Sequence, residues 1–504
     1  SRFLAQASMG ASRADIARVQ AIGYAAWLDE QIAVQPSTTR WDALVAGGFA
    51  DTTFKNGEAG FDACAWRKLL SSPDTLRQRV TLALSEIMVT SIDSLTGGGW
   101  KSFAAANYLD LLEANAFGNY RSLMQAVSTS TAMGMYLTFR GSMKANPMSG
   151  SLPDENYARE LMQLFTIGLV ILNLDGTPAL TGGNPAYTYG QADITGLARV
   201  FTGYDFDVAG TSLATSPDAL RRPMTQVASR HETGASTFLG ATVPANSTAA
   251  AALTIALDTI FAHANVGPFV SKQLIQRLVT SNPSPAYVSR VATVFNNDGG
   301  GGKGNLAAVV KAILLDDEAR SAGVAAGVSA GKLREPMLRF TAWARAWNAS
   351  SPGNGWSIGN TSDAATRLGQ SPLRSPSVFN FFRPGYVPPN SAIAAASLVA
   401  PEFQLNNEST VVGAVNYLQR AMSAQGVGDL AADYTALLAI ADDAVALVAE
   451  INLVLAANQI SAASATLISN AVATLPGGSD ALRLKRIYAS LTLVVAAPEF
   501  VVLK

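Results

Sequence analysis

Apolar residues recur at helical spacing along most of this chain, whereas alternation of polar and apolar residues is rare. The clearest runs cover residues 12–33 and 72–88. In the second run, Leu76, Val80 and Leu84 are four apart and share one helix face. A half-buried strand would instead need a period of two. The sequence therefore predicts a mainly α fold: a large helical core with long irregular loops, a C-terminal helical cap and little β structure.

The order of helical and irregular segments predicts the domain organisation. Further helices are expected over residues 248–263, 266–279, 285–296, 304–320 and 331–347. Residues 348–410 are rich in Ser, Pro, Asn and Gly, and such long irregular connections are often functional. We expect a helical domain over residues 1–420 and a helical cap over residues 421–504 that packs on it.

The charge balance bears on the class of partner. The chain has 36 Lys and Arg against 37 Asp and Glu, a net charge of -1. Proteins bind nucleic acid largely through cations that neutralise phosphates, so nucleic acid is not an expected partner. Hydrophobic residues make up 49%, but no run reaches the roughly 18 uninterrupted apolar residues of a membrane helix. Pro498 and Glu499 interrupt the nearest run, and no transmembrane span is predicted.

The scarcity of cysteine and histidine narrows the possible chemistry. Cys64 is the only cysteine, and His231 and His263 are the only histidines. An intrachain disulfide and a cysteine-based metal cluster are excluded, and two imidazoles make a zinc site or a Ser/His/Asp triad a poor fit. Carboxylate chemistry is what the composition leaves open.

No cofactor is predicted, with one alternative. The segment around Asn173 and Asp175 resembles half of a calcium loop. Ile171 stands where that loop needs an acidic first ligand, and Gly182 stands where it needs a bidentate glutamate. An Asx turn is therefore the better interpretation, and a calcium ion near Asn173 and Asp175 is the alternative.

Polar residues are densest between residues 152 and 168. On a helix that starts at Asn156, Arg159 and Glu160 lie on one polar stripe. Glu155 precedes Arg159 by four residues, the favourable order for an ion pair. Two interpretations stay open: a helix with acids at its positive end, or the wall of a cleft that presents carboxylates beside a guanidinium.

This segment also carries a family resemblance. The sequence Asp-Glu-Asn-Tyr-Ala-Arg-Glu-Leu-Met-Gln-Leu-Phe-Thr-Ile-Gly over residues 154–168 resembles the signature of the bacterial DUF1800 family. Further segments match landmarks of that family in the same order: residues 2–10, 187–204, 230–240, 281–285, 331–336, 375–386 and 400–403. Two residues depart from the pattern, Glu232 where aspartate is common and Phe165 where histidine is frequent.

The resemblance implies a location but no established reaction. DUF1800 proteins are mainly bacterial and exported, and are often encoded beside another exported family. We therefore expect a periplasmic or extracellular protein whose signal segment was removed before Ser1.

We expect the site to lie on the polar stripe. Glu155, Arg159, Glu160 and Asp193 are predicted to line one cleft, and His231 or its neighbour Glu232 to approach from a later loop. Glu160 is the predicted acid/base, Asp193 the second carboxylate. The family-like segments supply two further carboxylate candidates, Glu335 and Glu402. Structural ion pairs are the alternative for all of these acids.

Two classes of function follow. The first is an exported hydrolase that uses a carboxylate pair on a carbohydrate or another extracellular polymer, because two suitably spaced carboxylates suffice for glycoside hydrolysis. The second is a non-catalytic surface or scaffold protein that binds a polymer or a co-exported bacterial protein. Phe379, Phe381, Phe382 and Tyr386 could stack on sugar rings, but adjacent phenylalanines are more typical of a buried plug.

Overall fold

Helices make up 52% of the chain and strands only 6%, which confirms the predicted fold class. The computed structural model describes residues 1–325 and 327–504. The α-helices span Arg2–Ala7, Arg13–Ile22, Tyr24–Ala33, Arg40–Ala46, Phe61–Ser71, Thr75–Ser85, Lys101–Ala114, Tyr120–Thr129, Thr131–Tyr136, Asn156–Glu160, Gln191–Val200, Ala249–Ala262, Val266–Leu278, Pro285–Asn296, Leu306–Leu315, Asp317–Arg320, Ala322–Ala325, Pro336–Ala346, Ala392–Ala395, Glu408–Met422, Thr435–Leu438, Ala444–Leu455, Ala462–Ala473, Asp480–Ala496 and Pro498–Val501.

The remaining regular structure is short. Single 3-10 turns cover Thr52–Phe54, Ile92–Ser94, Asp218–Arg221, Ala228–Arg230 and Pro401–Leu405, and a π-helical turn covers Leu161–Thr166. Short strands form antiparallel pairs: Leu180–Thr181 with Asn184–Pro185, Tyr204–Asp205 with Thr225–Gln226, Ser236–Phe238 with Ala241–Val243, and Lys332–Leu333 with Val502–Leu503.

Local sequence explains where the first helical run begins and breaks. Ser12 accepts a hydrogen bond from the backbone N–H of Asp15, whose carboxylate accepts from the Ser12 N–H, so both unpaired donors at this helix start are satisfied. The run expected over residues 12–33 divides at Gly23, which has a φ of 81°. Glycine adopts this conformation without a Cβ penalty, so one amphipathic pattern becomes two helices.

Buried apolar side chains form one connected core in the described residues, from Phe3 near the N-terminus to Phe500 near the C-terminus. The strand Val502–Leu503 pairs with Lys332–Leu333, so the end of the chain lies against the centre of the molecule. The division at residue 420 stays a prediction.

The sequence predicts no transmembrane span, and the length and hydropathy of the helices bear on that prediction. In the described part of the chain, no single helix is long and apolar enough to cross a membrane. The consecutive helices Ala249–Ala262 and Val266–Leu278 are long and apolar enough only when taken together. They are bent by 74° where they meet.

Candidate functional site

Glu155, at the start of the predicted polar stripe, joins two helices. Its carboxylate accepts hydrogen bonds from Thr195 Oγ1 at 2.7 Å, Gln191 Nε2 at 2.8 Å and Arg159 Nη2 at 3.3 Å. The expected Glu155–Arg159 pair is therefore present, and it is tied to the helix Gln191–Val200. The contacts with Gln191 and Thr195 hold the two helices together, and the Arg159 pair lies within the first helix.

Asp193 lies on that second helix, but its carboxylate is used in capping. It accepts the backbone N–H of Gly190 at 2.8 Å and that of Leu239 at 2.7 Å. These two bonds satisfy a free donor at the helix start and fix the turn after the strand Ser236–Phe238. The role of Asp193 as a second catalytic carboxylate stays a prediction.

His231 and Glu232 are likewise held by their own loop. His231 is buried, and its Nδ1 lies 3.0 Å from the carbonyl oxygen of Thr202. Glu232 accepts the Gly234 N–H at 2.9 Å and lies 3.6 Å from Arg199 Nε. The structure thus brings Glu232, rather than His231, into an ion pair with the helix that carries Asp193.

Glu160 differs from its neighbours on the stripe because it is buried and incompletely paired. Its Oε2 finds no hydrogen-bond donor in the described residues. Burial raises the pKa of Glu160, although Arg159 opposes the shift. Burial and the charge of Glu160 together raise the pKa of Tyr136 and of Tyr189 to about 12, so two phenols lie near this carboxyl. Of the predicted residues, Glu160 is the one that combines burial, a raised pKa and a carboxyl oxygen without a donor in the described residues.

The segment considered for calcium forms the expected Asx turn. Asp175 Oδ1 accepts from Thr177 N at 2.9 Å and Thr177 Oγ1 at 2.6 Å. Asn173 Nδ2 donates to Thr177 Oγ1 at 3.0 Å. Across residues 1–325 and 327–504, no group of three or more His, Cys, Asp or Glu side chains is arranged to hold a metal ion. A calcium ion here stays an untested alternative.

A cavity of about 750 Å³ lies beside the π-helical turn Leu161–Thr166. Gln163 and Leu164 of that turn form part of its wall, and π-turns inside helices frequently occur at functional sites. The helix Val266–Leu278 forms a second wall. Much of the surface is apolar: Ile87, Leu172, Phe269, Val378, Phe379 and Leu398.

Besides segment 154–168, which supplies Gln163 and Leu164, four of the family-like segments lie at or behind this cavity. Residues 281–283 and parts of segment 375–386 line it directly. Segments 331–336 and 400–403 supply charged side chains that lie behind the wall. We call these side chains and their partners the Glu86 cluster, defined as Arg79, Glu86, Arg277, Lys332, Glu335 and Glu402, all buried.

Glu86 is the acid of this cluster that faces the cavity. Neither of its side-chain oxygens receives a hydrogen bond from a backbone, amide, hydroxyl or cationic group of the described residues. Glu86 is in hydrogen-bond contact with Glu335, and two carboxyl groups can make such a contact only if one keeps a proton. One proton therefore accounts for the contact, and the acid that holds it donates to the other; Glu335 Oε1 also lacks any other donor in the described residues.

The environment decides which of the two holds the proton. Burial and then the charge of Glu335 raise the pKa of Glu86 well above its ordinary range. Glu335 is also buried, but its hydrogen bond with Glu86 and the charges of Lys332 and Arg79 hold its pKa below the ordinary value. Glu86 is thus the neutral acid and Glu335 the ionised partner.

Glu335 and Glu402 are held from behind. Gln370 Nε2 donates to Glu335 Oε2 at 2.7 Å. Lys332 Nζ lies 2.9 Å from Glu402 Oε1 and donates to the carbonyl oxygen of Arg277 at 2.7 Å. These contacts hold Glu335 and Glu402 in place, while Glu86 is the acid of the cluster that lines the cavity.

Arg277 places a positive charge beside Glu86. Its Nε lies 3.6 Å from Glu86 Oε2 and has no hydrogen-bond acceptor in the described residues. Its guanidinium lies 4.6 Å from the ring centre of Phe382. Phe381 and Phe382 are buried, as expected of a plug, whereas Phe379 lines the cavity.

Comparison with known proteins identifies the family. The family model described as "Protein of unknown function (DUF1800)" matches residues 2–502. The chain belongs to the DUF1800 family. The resemblance expected from the sequence is confirmed, and the match extends beyond residue 420 to residue 502. No curated protein and no solved structure matches the chain.

Sequence reasoning identified part of this DUF1800 site and missed the rest. Glu335 and Glu402 were candidates because they lie in family-like segments, but Glu86 and Arg277 were not. The sequence feature that could have indicated Glu86 is that it is the only charged residue between residues 80 and 90. An acid at such a position must be paired or neutral once it is buried.

Proposed function

We propose that this DUF1800 protein is a hydrolase in which Glu86 acts as the acid–base group. One observation carries the proposal: Glu86, which contacts Glu335 and whose pKa is raised by burial and by the charge of Glu335, lines a cavity of about 750 Å³. Pairs of titratable groups whose pKa values are driven apart are typical of acid–base sites.

The arrangement supports a cycle in which the proton balance closes. Water adds to the carbonyl carbon, the bond to the leaving oxygen breaks as Glu86 donates its proton to that oxygen, and the Glu86 carboxylate takes up the proton that the added water loses. Glu335 is a positioning residue, since it touches Glu86 and not the cavity. Arg277 can stabilise negative charge that develops beside Glu86, in the manner of an oxyanion site.

The same geometry bears on the bond that is cleaved. Glycosidases place their two carboxyl groups about 5–9.5 Å apart, whereas a hydrogen-bonded pair is separated by about 2.5–3.0 Å. Because Arg277 favours an anionic transition state, the pair suits an ester or a similar acyl linkage better than a glycoside. An exported protein of this kind would act on an ester-linked extracellular polymer.

Glu160 supports a second candidate site for the carbohydrate hydrolase expected from the sequence. It is the buried acid with a raised pKa and an Oε2 that lacks a donor in the described chain. This second proposal needs a partner carboxylate, and Asp193 is already bound by two backbone N–H groups. We therefore rank it below the Glu86 site.

The test compares Glu86→Gln with Glu160→Gln. Wild-type protein is first screened against ester, amide and glycoside substrates. Glu86→Gln should lower turnover by about 10²- to 10⁴-fold, the usual contribution of a general acid–base group. Glu160→Gln should leave turnover unchanged, and thermal melting should show both variants folded.

Three other results would redirect the assignment. Loss of turnover in Glu160→Gln alone would transfer the acid–base role to the polar stripe. Full activity of Glu86→Gln would exclude Glu86. Binding of a polymer or of a co-exported protein, with no product from any substrate class, would support the non-catalytic scaffold instead.

Export to the periplasm or cell exterior is part of the proposal and rests on the family resemblance. Fractionation of a bacterium that produces the protein should place the mature chain outside the cytosol. A full-length precursor found only in the cytosol would contradict it.

A further inference from the structure

The cavity beside Glu86 has an uneven charge. Lys272 and Arg277, both on the helix Val266–Leu278, contribute to its wall, and Glu86 is the only Asp or Glu among the described residues that line it. Because burial and the charge of Glu335 raise the pKa of Glu86, the charge of the lining comes mainly from these two cations. In a partly desolvated site these charges attract an anion more strongly than they would in water.

Lys272 is the less compensated of the two cations. Burial lowers its pKa, and Asp175 opposes the shift by its charge alone, without a hydrogen bond to Lys272. The Asp175 carboxylate is instead bound by Thr177. Lys272 therefore lines the cavity, and no ion pair joins it to a carboxylate of the described residues.

The rest of the lining is suited to an apolar body. Phe269 and Phe379 contribute aromatic rings, and Leu164, Val378 and Leu398 contribute aliphatic surface. Burial of such surface is worth roughly 25 cal/mol for each Å² removed from water. Gln163 and Gln273 are neutral amide side chains of the lining that can orient a bound head group.

We propose that this cavity binds an organic carboxylate with an apolar body, its charged end directed to Lys272 and Arg277. The inference deepens the proposed function, on which it rests, by naming the class of molecule that the site accepts. A carboxylate is also the acid released when an ester is hydrolysed. The apolar body lies against Phe269 and Phe379.

Binding can be tested with two fluorescent probes that differ in charge. The anilinonaphthalene sulfonate ANS is an anion with an aromatic body, and N-phenyl-1-naphthylamine is its neutral counterpart. Lys272→Met should weaken ANS binding about tenfold, or 1.4 kcal/mol, while binding of the neutral probe stays within about twofold. Decanoate should displace ANS from the wild type, and decanol at the same concentration should not.

Lys303→Met is the matched control. Lys303 is also partly buried, and its ammonium lies 5.1 Å from the ring centre of Phe261, but it does not line the cavity. This variant should bind both probes like the wild type. Equal loss of both probes in Lys272→Met, loss of ANS in Lys303→Met, or no ANS binding by the wild type would overturn the inference.

Glu86→Gln separates this inference from the proposed function. The substitution keeps the cavity charge, since Glu86 is already neutral, so ANS should bind it as tightly as the wild type. Loss of turnover in Glu86→Gln without any charge preference for ANS would remove the carboxylate inference alone. Charge-selective binding together with full activity of Glu86→Gln would remove the hydrolase proposal alone.

Discussion

Two groups of buried charges occupy the helical core, and their contacts differ. The first, which we call the Arg40 cluster, consists of Arg40, Lys68, Asp74, Gln78, Asp110 and Glu113. Glu113 accepts from Arg40 Nη1 at 2.7 Å and from Lys68 Nζ at 2.6 Å. Asp110 accepts the backbone N–H groups of Arg40 at 3.0 Å and Trp41 at 2.9 Å. Each carboxylate here has close donors.

The Glu86 cluster has the same kinds of residue but poorer pairing. Glu86 has only Arg277 Nε at 3.6 Å, beyond an ordinary hydrogen bond, and relies on a proton shared with Glu335. Although Glu113 is also buried, Arg40 and Lys68 hold its pKa below the ordinary value, whereas burial and Glu335 raise that of Glu86.

The difference separates a structural role from a functional one. Buried ions that are fully paired need no further partner, and removing one of them leaves the others uncompensated. A buried acid that stays neutral beside a cavity is available for proton transfer. Burial and charge alone would have placed both clusters in one class, and the pairing is what separates them.

The largest expected effect comes from breaking the well-paired cluster. Glu113→Gln keeps the side-chain shape but leaves Arg40 and Lys68 buried without their shared anion. We expect a loss of about 3–5 kcal/mol in the free energy of unfolding, as for other broken buried pairs. Chemical denaturation at neutral pH measures this loss.

Glu86→Gln is the matched comparison, because it replaces a neutral group with a neutral one. Gln can also donate to Glu335 through its amide, so its destabilisation should stay below that of Glu113→Gln by at least about 2 kcal/mol. Equal losses in the two variants would mean that Glu86 is ionised and structural, and the contrast between the clusters would fail.

A smaller effect is expected when pH is varied. A carboxyl whose pKa is raised by folding stabilises the protein fully below its ordinary value of 4.5 and loses that contribution as pH rises towards the folded value. From about pH 5 to about pH 7, the wild type should therefore lose stability relative to Glu86→Gln, by up to about 1.4 kcal/mol per pH unit.

Glu113 should show the opposite dependence. Its pKa is lowered in the folded protein, so its contribution is present above 4.5 and is lost as pH falls through the folded value. The advantage of wild type over Glu113→Gln should shrink in acid. Parallel curves for Glu86→Gln and wild type would contradict the assignment of the proton to Glu86.

The contrast also explains what could be read from the sequence. Helices such as Ala249–Ala262 and Pro285–Asn296 fall within a residue or two of the expected segments, because their apolar spacing and caps such as Thr248 and Ser284 are local signals. The pairing of Glu86 with Glu335 depends on helices that are distant in the chain. No spacing rule carries that information.

The polar stripe shows which contacts helical spacing predicts and which it does not. Helical spacing placed Glu155 and Arg159 together, and they do pair. It could not show that the backbone N–H groups of Gly190 and Leu239 use the Asp193 carboxylate. Local geometry predicts which side chains share a face, whereas their availability for chemistry depends on contacts made by the whole fold.

The smallest expected effect compares one hydroxyl in each cluster. Ser72 Oγ donates to the buried carboxylate of Asp74, whereas Ser281 Oγ lies 3.4 Å from Glu402 Oε2. Hydrogen bonds to charged groups contribute about 1.5–3 kcal/mol, and long ones contribute less. Ser72→Ala should therefore cost about 2 kcal/mol and Ser281→Ala less than about 1 kcal/mol.

Both measurements use the same denaturation assay at neutral pH, and the two variants remove the same atom from buried sites. A Ser281→Ala loss equal to that of Ser72→Ala would show that the Glu86 cluster is as tightly held as the Arg40 cluster, and incomplete pairing could no longer be the feature that marks the site.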